Sequence, residues 1–409
     1  MTNEKLRTWC KILLNGVAVR EGQNLLIRAE LEIRPLIELL VEEAYILGVA
    51  YVQVDWQNRE IIRIRAEHSQ PNFLARVPSY FKDANLEYVT DNWAYINIYA
   101  EENPNVYESV SSSKIGIMQK ARTETNKIFH DAVINNKISW LVASAPTLGW
   151  AKKIFGNTVS DSTAVAKLWK VLSPIYRLDE ADPIAAWQNH SRALKKKIEN
   201  IDSLHITELH FTAPGTDFTV SLSPQARWIG GSGTSADGRT FFPNIPSEEI
   251  FTTPDCRKTK GRVQLTKPVD IMGKIVTGAW FVFENGLVTD YGATSGKENI
   301  EAYFSVDERN RYLGEIALVA ADNPIAATGF LFYNILFDEN AACHFALGDG
   351  YPDALEGGSS MTQEERDDCG CNKADMHTDV MFGSKELTVE ALCSDGKKVI
   401  LMEKGLFVI

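Results

Sequence analysis

The chain has 409 residues, 42 Lys and Arg against 54 Asp and Glu, and a formal net charge of −12 at pH 7. Because single cores stop growing at about 250–300 residues, the length predicts two domains. The acidic balance argues against a nucleic-acid partner, since phosphate recognition needs a basic surface. No apolar run approaches the roughly 20 residues of a membrane-spanning helix, and charges interrupt the N-terminal segment. The six cysteines follow no framework spacing. We therefore expect a cytoplasmic protein without a membrane partner.

The first half of the chain alternates between short apolar runs and amphipathic stretches. The order is strand 24–29, helix 30–47, strand 50–56, strand 94–99, helix 120–133 and strand 138–143. Strands separated by helices predict a parallel sheet, and therefore an α/β fold. Neither a G-x-G-x-x-G fingerprint nor a P-loop is present, which argues against a nucleotide site in this half.

A polar helical stretch near residue 190 precedes a change from alternating strands and helices to a pattern of short strands. Beyond it, residues 205–222 predict a hairpin with the turn PGTD, and further short strands follow. We predict an N-terminal α/β domain over residues 1–190, with a parallel sheet. A mixed, β-rich α+β catalytic domain is predicted over residues 191–409.

Three acidic residues in this second half are candidates for a functional role. Glu248 and Glu249 follow Pro246 and precede the strand-like IFTT; taken alone, they suggest a turn with solvated acids. Glu315 is the only charged residue of the apolar run LGEIALVA. A buried Glu needs a partner or a metal ion, although an edge strand with Glu315 facing water explains the pattern equally well.

Two further clusters combine carboxylates with imidazoles. The segment DENAACHFALG carries Asp338, Glu339 and His344, and the segment NKADMHTDVMFGS carries His377 and Asp379. In a strand, residues two apart point to the same face, so His377 and Asp379 form a candidate ligand pair. A His–Asp hydrogen bond inside a core is the alternative.

Together the clusters supply four carboxylates and two imidazoles: Glu249, Glu315, Glu339, Asp379, His344 and His377. Two divalent ions would neutralise the four carboxylates, whereas burial of such a set without metal is costly. Mixed oxygen and imidazole ligands suit Zn²⁺, Co²⁺ or Mn²⁺. The sequence therefore predicts two divalent metal ions per chain.

Several ordered motifs resemble one known family. The segments RWIGGS, GTDFTVSL, NIPSEEIFTTPD, YLGEIAL, DENAACHFALG and HTDVMFGS are similar to those of the thermophilic-type metalloaminopeptidases, the group of aminopeptidases T and S. The match covers most of the C-terminal half, and the length and domain order agree with it. The resemblance implies hydrolysis of peptides that have a free N-terminus. It also implies a homodimer, with an N-terminal domain that restricts entry to the cleft.

The resemblance also implies roles for individual residues. The six side chains above would be the metal ligands, with Glu315 bridging two ions. Tyr351 of the segment GYP resembles the family's active-site tyrosine and could donate a hydrogen bond to the tetrahedral oxyanion. Glu248 is a candidate general base, because a non-ligating Glu beside a ligand can carry a proton.

This chain departs from the family pattern at GDGYP, where Asp349 and Gly350 are unusual, and at Cys369 and Cys371 before the last motif. Two other functions stay open. A two-metal phosphoesterase would need cations near the metals, and Arg257, Lys258 and Lys260 follow the first motif. An inactive scaffold would keep the fold without activity.

Overall fold

A four-stranded parallel sheet organises the first half of the protein. A computed structural model describes residues 1–103, 106–107, 109–156 and 159–409. The strands are β1 (Asn24–Glu30), β2 (Tyr51–Gln57), β3 (Ala94–Tyr99) and β4 (Trp140–Ser144). They lie in the order β2-β1-β3-β4, and the pairs within the sheet are parallel. The predicted strands agree with these to within two residues, so the α/β prediction for this half is confirmed.

Seven helices accompany this sheet in the described part of the first half. They are α1 (Asn3–Gly16), α2 (Arg34–Ile46), α3 (Arg59–His68), α4 (Tyr80–Thr90), α5 (Ser112–Ile134), α6 (Leu148–Phe155) and α7 (Asp161–Ile175). The predicted helix 30–47 starts later than expected because a short 3₁₀ turn, Leu31–Ile33, comes first. Pro35 then occupies the first turn of α2, where its missing N–H leaves no helical bond unmade.

The second half is β-rich, as predicted. After α8 (Pro183–Asp202) the strands are β5 (Ile206–Ala213), β6 (Thr216–Ser221), β7 (Ile229–Gly230), β8 (Gly233–Thr234), β9 (Thr240–Phe241), β10 (Glu249–Thr252), β11 (Lys260–Gln264), β12 (Val269–Ile271), β13 (Lys274–Val276), β14 (Trp280–Glu284), β15 (Leu287–Gly292), β16 (Leu313–Val319), β17 (His344–Gly348), β18 (His377–Met381), β19 (Thr388–Cys393), β20 (Lys398–Glu403) and β21 (Leu406–Phe407). The helices are α9 (Lys297–Val306), α10 (Pro324–Thr328), α11 (Ile335–Asp338) and α12 (Gln363–Asp368).

Two antiparallel sheets dominate this half. One has eight strands in the order β15-β14-β11-β6-β5-β19-β20-β21, and the other has five in the order β18-β17-β16-β10-β7. Phenylalanine rings join them: Phe345 of β17 lies 5.6 Å from Phe218 of β6 and 5.9 Å from Phe283 of β14, between ring centroids. One face of the five-stranded sheet is therefore buried against the eight-stranded sheet.

The contacts divide the chain into two compact units. Residues Met1–Trp187 and Ser232–Ile245 form the first unit, and residues Gln188–Gly231 and Pro246–Ile409 form the second. The excursion is the segment Ser232–Ile245, which belongs to the first unit although its neighbours along the chain belong to the second. The single predicted boundary at residue 190 did not include it. It joins the first unit through backbone bonds, since Phe242 N donates to Gly16 O at 2.7 Å. None of the described helices is long and apolar enough to cross a membrane.

Candidate metal centre

Five of the six predicted ligands lie on neighbouring strands of the five-stranded sheet. Glu249 begins β10, Glu315 lies in β16, His344 begins β17, and His377 and Asp379 lie in β18. These strands are adjacent in the order β18-β17-β16-β10. Antiparallel pairing thus brings together residues that are far apart along the chain.

The strand register places these side chains on one face of the sheet. Glu315 pairs with Ala346, and Ala346 pairs with Asp379, so the three form one row across β16, β17 and β18. His344 pairs with Ala317 in the neighbouring row. Because directly opposite residues point to the same face, Ala346 and Ala317 leave room between the polar side chains. Sequence reasoning missed both alanines.

The distances define two overlapping groups of potential ligands. Glu249, Glu315 and His344 form one group, and Glu315, His377 and Asp379 form the other, with one ligand atom of each residue within 4.8 Å of the others in its group. His344 Nε2 lies 3.1 Å from Glu249 Oε2 and 3.8 Å from Glu315 Oε1. Glu315 belongs to both groups, which is the position predicted for a bridging ligand.

His377 completes the second group from the strand at the edge of the sheet. Its Nε2 lies 3.2 Å from Asp379 Oδ1 and 3.6 Å from Glu315 Oε2. The pairing of His377 with Asp379 that the strand alternation predicted is therefore present in the structure.

Glu339 lies beside these groups without belonging to either. It starts the 3₁₀ turn Glu339–Ala341, immediately before β17. Its charge interacts with those of Glu249, Asp379 and Glu315, and burial together with these charges raises the pKa of Glu339 well above its usual value. Its Oε1 accepts a hydrogen bond of 3.3 Å from the Nδ2 of Asn340.

Both histidines are oriented by backbone carbonyls. His344 Nδ1 lies 3.1 Å from Ala342 O, and His377 Nδ1 lies 2.7 Å from Asp349 O. A carbonyl oxygen only accepts, so Nδ1 carries a proton in both rings. With Nδ1 protonated, Nε2 is the atom that each ring directs to the carboxylates, and a bound cation in place of the Nε2 proton would make this the arrangement of a metal-binding histidine.

Burial and charge shift the pKa values of this cluster. Burial, together with the charges of Asp379 and Glu249, raises the pKa of Glu315 to about 8. Burial opposes protonation of the two histidines, yet the carboxylates raise the pKa of His344 to about 9 and that of His377 to about 10. Burial would raise the pKa of Asp379, but the charge of His377 holds it below its ordinary value.

Tyr351 stands next to the second group. Its ring centroid lies 4.7 Å from that of His377 and 5.7 Å from that of Phe251. Although 45% of the residue is exposed, burial of the phenol group and the charges of Glu315 and Asp379 raise its pKa well above 10. The hydroxyl therefore keeps its proton and can donate a hydrogen bond at neutral pH.

Glu248 is directed to a different environment from Glu249. Successive residues of an extended chain point to opposite sides, and the Oε2 of Glu248 lies 3.4 Å from His190 Nε2 of α8. Neither ligand group among the described residues contains Glu248. The structure thus brings Tyr351 to the ligand cluster and places the Glu248 carboxylate beside His190.

Comparison with known proteins identifies the family. The model of the thermophilic metalloprotease family M29 matches residues 2–407. The chain is 36% identical to aminopeptidase PepS of Streptococcus thermophilus over 99% of this chain and 98% of that one. It is 34% identical to aminopeptidase T of Thermus aquaticus over 96% of both chains. The solved structure of wild-type AmpT from Thermus thermophilus superposes with a TM-score of 0.91, at 32% identity and with 99% of each chain covered.

The chain belongs to the M29 family of metalloproteases. The resemblance noted in the motifs is therefore confirmed over the whole chain. The prediction of a metalloaminopeptidase, a hydrolase of peptides, is confirmed at the level of the family, since these relatives are named aminopeptidases. Membership of a metalloprotease family implies a divalent metal.

The residues of this M29 enzyme suit a divalent metal. The Oε2 of Glu249 is buried, and none of the described residues donates a well-aligned hydrogen bond to it; His344 Nε2 lies 3.1 Å away. A buried carboxylate oxygen without a donor is costly, and a cation would satisfy it. Carboxylate oxygens and imidazole nitrogens are also the ligand types of Zn²⁺ and similar ions.

The M29 enzyme should lose stability with rising pH when metal is removed. Glu315, His344 and His377 all have pKa values above their ordinary ones, so the folded metal-free chain binds more protons than the unfolded chain. Their contribution is complete below the unfolded pKa values and is lost as the pH rises through about 8 to 10. We expect the unfolding temperature of chelator-treated protein to fall between pH 6 and pH 9.

Added metal should act in the opposite direction. Metal binding needs ionised carboxylates and neutral imidazoles, so it releases protons and strengthens with pH. Thermal unfolding with and without added Zn²⁺ measures both effects, and calorimetry in two buffers of different ionisation enthalpy counts the protons. A metal-free protein that gains stability from pH 6 to pH 9 relative to its Glu315→Gln variant would contradict the prediction.

Proposed function

We propose that this protein is an aminopeptidase that releases N-terminal amino acids from peptides with the help of two divalent ions. The two groups of carboxylates and imidazoles that share Glu315 carry this proposal. The six proposed metal ligands are Glu249, Glu315, Glu339, His344, His377 and Asp379. Four carboxylates balance the charge of two divalent ions, which supports two ions rather than one.

Bound divalent ions supply Lewis acidity towards a peptide carbonyl and lower the pKa of water. The residues of the chain supply the geometry. Backbone carbonyls hold the two imidazole rings by Nδ1, so Nε2 of each ring is directed to the carboxylates. The free α-amino group of a peptide would be held near a metal ion or a single carboxylate of the cluster, which favours cleavage after the first residue.

Hydrolysis of aminoacyl p-nitroanilides tests the proposal. Chelator-treated protein is assayed with a panel of N-terminal residues, alone and after addition of Co²⁺, Zn²⁺ or Mn²⁺. We expect metal-restored cleavage of the free-amine substrates and none of their N-acetylated counterparts. Folded, metal-loaded protein that cleaves neither would contradict an aminopeptidase and leave the inactive scaffold. The same panel ranks the three candidate ions.

The structure argues against the phosphoesterase alternative. The cations that could grip a phosphate are engaged with acidic side chains: Arg257 Nε and Lys258 Nζ lie 2.8 and 3.0 Å from the carboxylate of Asp255. Lys260 Nζ lies 3.8 Å from Glu208 Oε2. We expect no metal-dependent hydrolysis of p-nitrophenyl phosphate.

Replacement of Tyr351 by Phe tests the oxyanion role. Loss of one hydrogen-bond donor to an oxyanion costs about 100-fold to 1,000-fold in kcat. Because the ring stays in place beside His377, we expect this loss in kcat with little change in KM or in metal content. Steady-state kinetics on a p-nitroanilide and metal analysis give the answer. An unchanged kcat would remove Tyr351 from the mechanism.

Glu248 stays our predicted general base. A positioned acid–base group contributes about 100-fold to 10,000-fold to the rate. We expect Glu248→Gln to lower kcat within that range while the bound metal is retained. Its carboxylate faces His190 in the structure, so His190→Gln is the informative companion variant. Wild-type kcat in Glu248→Gln would assign the base to another group.

Two further parts of the proposal rest on the family resemblance. We propose a homodimer and a cytoplasmic location. Light scattering of the purified protein measures the first property, since a dimer has twice the mass of the 45.7 kDa chain. A monomer with full activity would contradict the homodimer.

A further inference from the structure

One peptide group next to the candidate metal centre is held at both ends by side chains, one from the buried Asn340 and one from the partly buried His190. The carbonyl oxygen of Ser247 lies 2.8 Å from His190 Nε2, and the N–H of Glu248 donates to Asn340 Oδ1 at 2.6 Å. These two atoms belong to the same peptide bond. In a planar trans peptide the C=O and N–H point in opposite directions within the plane, so the two side chains approach opposite edges of the peptide group.

The position of this peptide along the chain explains why the two contacts affect a candidate metal ligand. It precedes Glu249 by one residue, and Glu249 begins β10, where it pairs with Val319 of β16. The strand ladder fixes Glu249 from the C-terminal side. On the N-terminal side of Glu249, the 247–248 peptide plane could still rotate. The two hydrogen bonds prevent this rotation.

Asn340 also forms hydrogen bonds to two other groups at the same site. Its Nδ2 donates to Glu339 Oε1 at 3.3 Å and to Leu336 O at 3.1 Å, while its Oδ1 accepts from Glu248. The residue is fully buried. A primary amide is suited to this place because it offers an acceptor and two donors at once. Asp in its place would keep the acceptor, lose the donors and add a charge beside Glu339.

We propose that Asn340 and His190 are positioning residues that clamp the Ser247–Glu248 peptide and so set the direction in which Glu249 and Glu339 present their carboxylates to the metal ions. The inference rests on the proposed ligand set. It assigns a role to two residues that neither bind an ion nor touch the substrate. Outer partners of metal ligands typically contribute 10-fold to 100-fold in metal affinity or activity.

Two matched pairs of variants in the full chain test the clamp. Asn340→Asp keeps the shape and removes the donors, and Asn85→Asp is its control, since Asn85 is also buried but its Nδ2 donates to Thr125 O in the first unit. His190→Phe removes the donor to Ser247 O, whereas His190→Gln can donate from its own Nε2 to that oxygen. Metal affinity is measured by competition with a chromophoric chelator, and kcat and KM at saturating metal.

We expect Asn340→Asp and His190→Phe to lose about 10-fold to 100-fold in affinity for Zn²⁺, with a lower kcat and an unchanged KM. His190→Gln should recover most of this loss. Wild-type affinity for Zn²⁺ in Asn340→Asp and His190→Phe would overturn the clamp, even if the metal-free proteins melt earlier or His190→Phe has a lower kcat, because His190 also lies 3.4 Å from Glu248, the proposed general base. If Asn340→Asp does not fold, the comparison of His190→Phe with His190→Gln tests the clamp by itself.

The ligand variants separate the two hypotheses. If Glu249→Gln and Glu339→Gln each lose bound metal while Asn340→Asp and His190→Phe keep wild-type affinity, the clamp is wrong and the ligand set stands. If Glu249→Gln and Glu339→Gln retain the full metal content, the ligand set itself is wrong.

Discussion

Replacement of Glu315 by Gln should reduce kcat/KM by about a thousandfold or more. Glu315 is shared by both groups of candidate ligands, so in the proposed two-ion centre its loss would affect both ions at once. Lewis acidity contributes several kcal/mol to the transition state, and about 1.4 kcal/mol corresponds to a tenfold change in rate. The neutral amide also leaves the charge of the cluster one unit short of two divalent ions. Metal analysis of the dialysed protein and kinetics on a p-nitroanilide measure the effect.

The control for this variant is another buried glutamate. Glu30 is as buried as the ligands, but it pairs with Arg59 at the end of β1 in the first unit. We expect Glu30→Gln to keep its metal and its activity. Glu315→Gln with wild-type metal content and activity would show that the bridging position is wrongly assigned.

Phe345→Ala should give the largest loss of stability among substitutions beside the site. Phe345 is fully buried, with its ring centroid 5.6, 5.8 and 5.9 Å from those of Phe218, Phe382 and Phe283. Removal of a buried Phe side chain costs about 3–5 kcal/mol through lost transfer energy and the cavity that remains. Urea unfolding of the metal-free protein measures this change in free energy.

Two controls show whether the aromatic core is responsible. Phe345→Leu keeps more of the volume and should cost less than Phe345→Ala. Phe73 is 49% exposed, so Phe73→Ala should change the free energy of unfolding by no more than about 0.5 kcal/mol. A Phe345→Ala variant as stable as wild type would contradict the packing of the two sheets through this ring.

The sequence predicted which carboxylates and imidazoles lie close together better than it predicted their surroundings. His377 and Asp379 could be paired because a strand alternates, and their apolar neighbours indicated that it is buried. Glu315 could be singled out as one charge in an apolar run, and its edge-strand alternative is wrong, since β16 lies inside its sheet and is buried throughout. Charge in an apolar context is a strong local signal.

Ala317 and Ala346 gave no such signal. Their contribution is the space that a larger side chain would occupy, and this depends on the register between β16, β17 and β18. Asn340 and His190 were also missed. An Asn beside a ligand and a helical His have ordinary sequence contexts, and only the fold brings both to the same peptide.

The excursion Ser232–Ile245 shows the same limit at the level of units. No local feature of its sequence indicates that the segment packs against the first unit while its flanks pack in the second. Long-range contacts of this kind depend on the whole chain, whereas propensity and periodicity are read within a window of a few residues.

Five of the six proposed ligands lie on four different strands, so the stability of the folded enzyme depends on the availability of metal ions. An unfolded chain holds Glu249 and Asp379 far apart, so tight binding requires the assembled sheet. By mass action, each tenfold rise in free metal beyond the dissociation constant adds about 1.4 kcal/mol to the folded state per site. In a metal-poor environment the same protein would be both idle and more readily degraded, which couples its abundance to the availability of its cofactor.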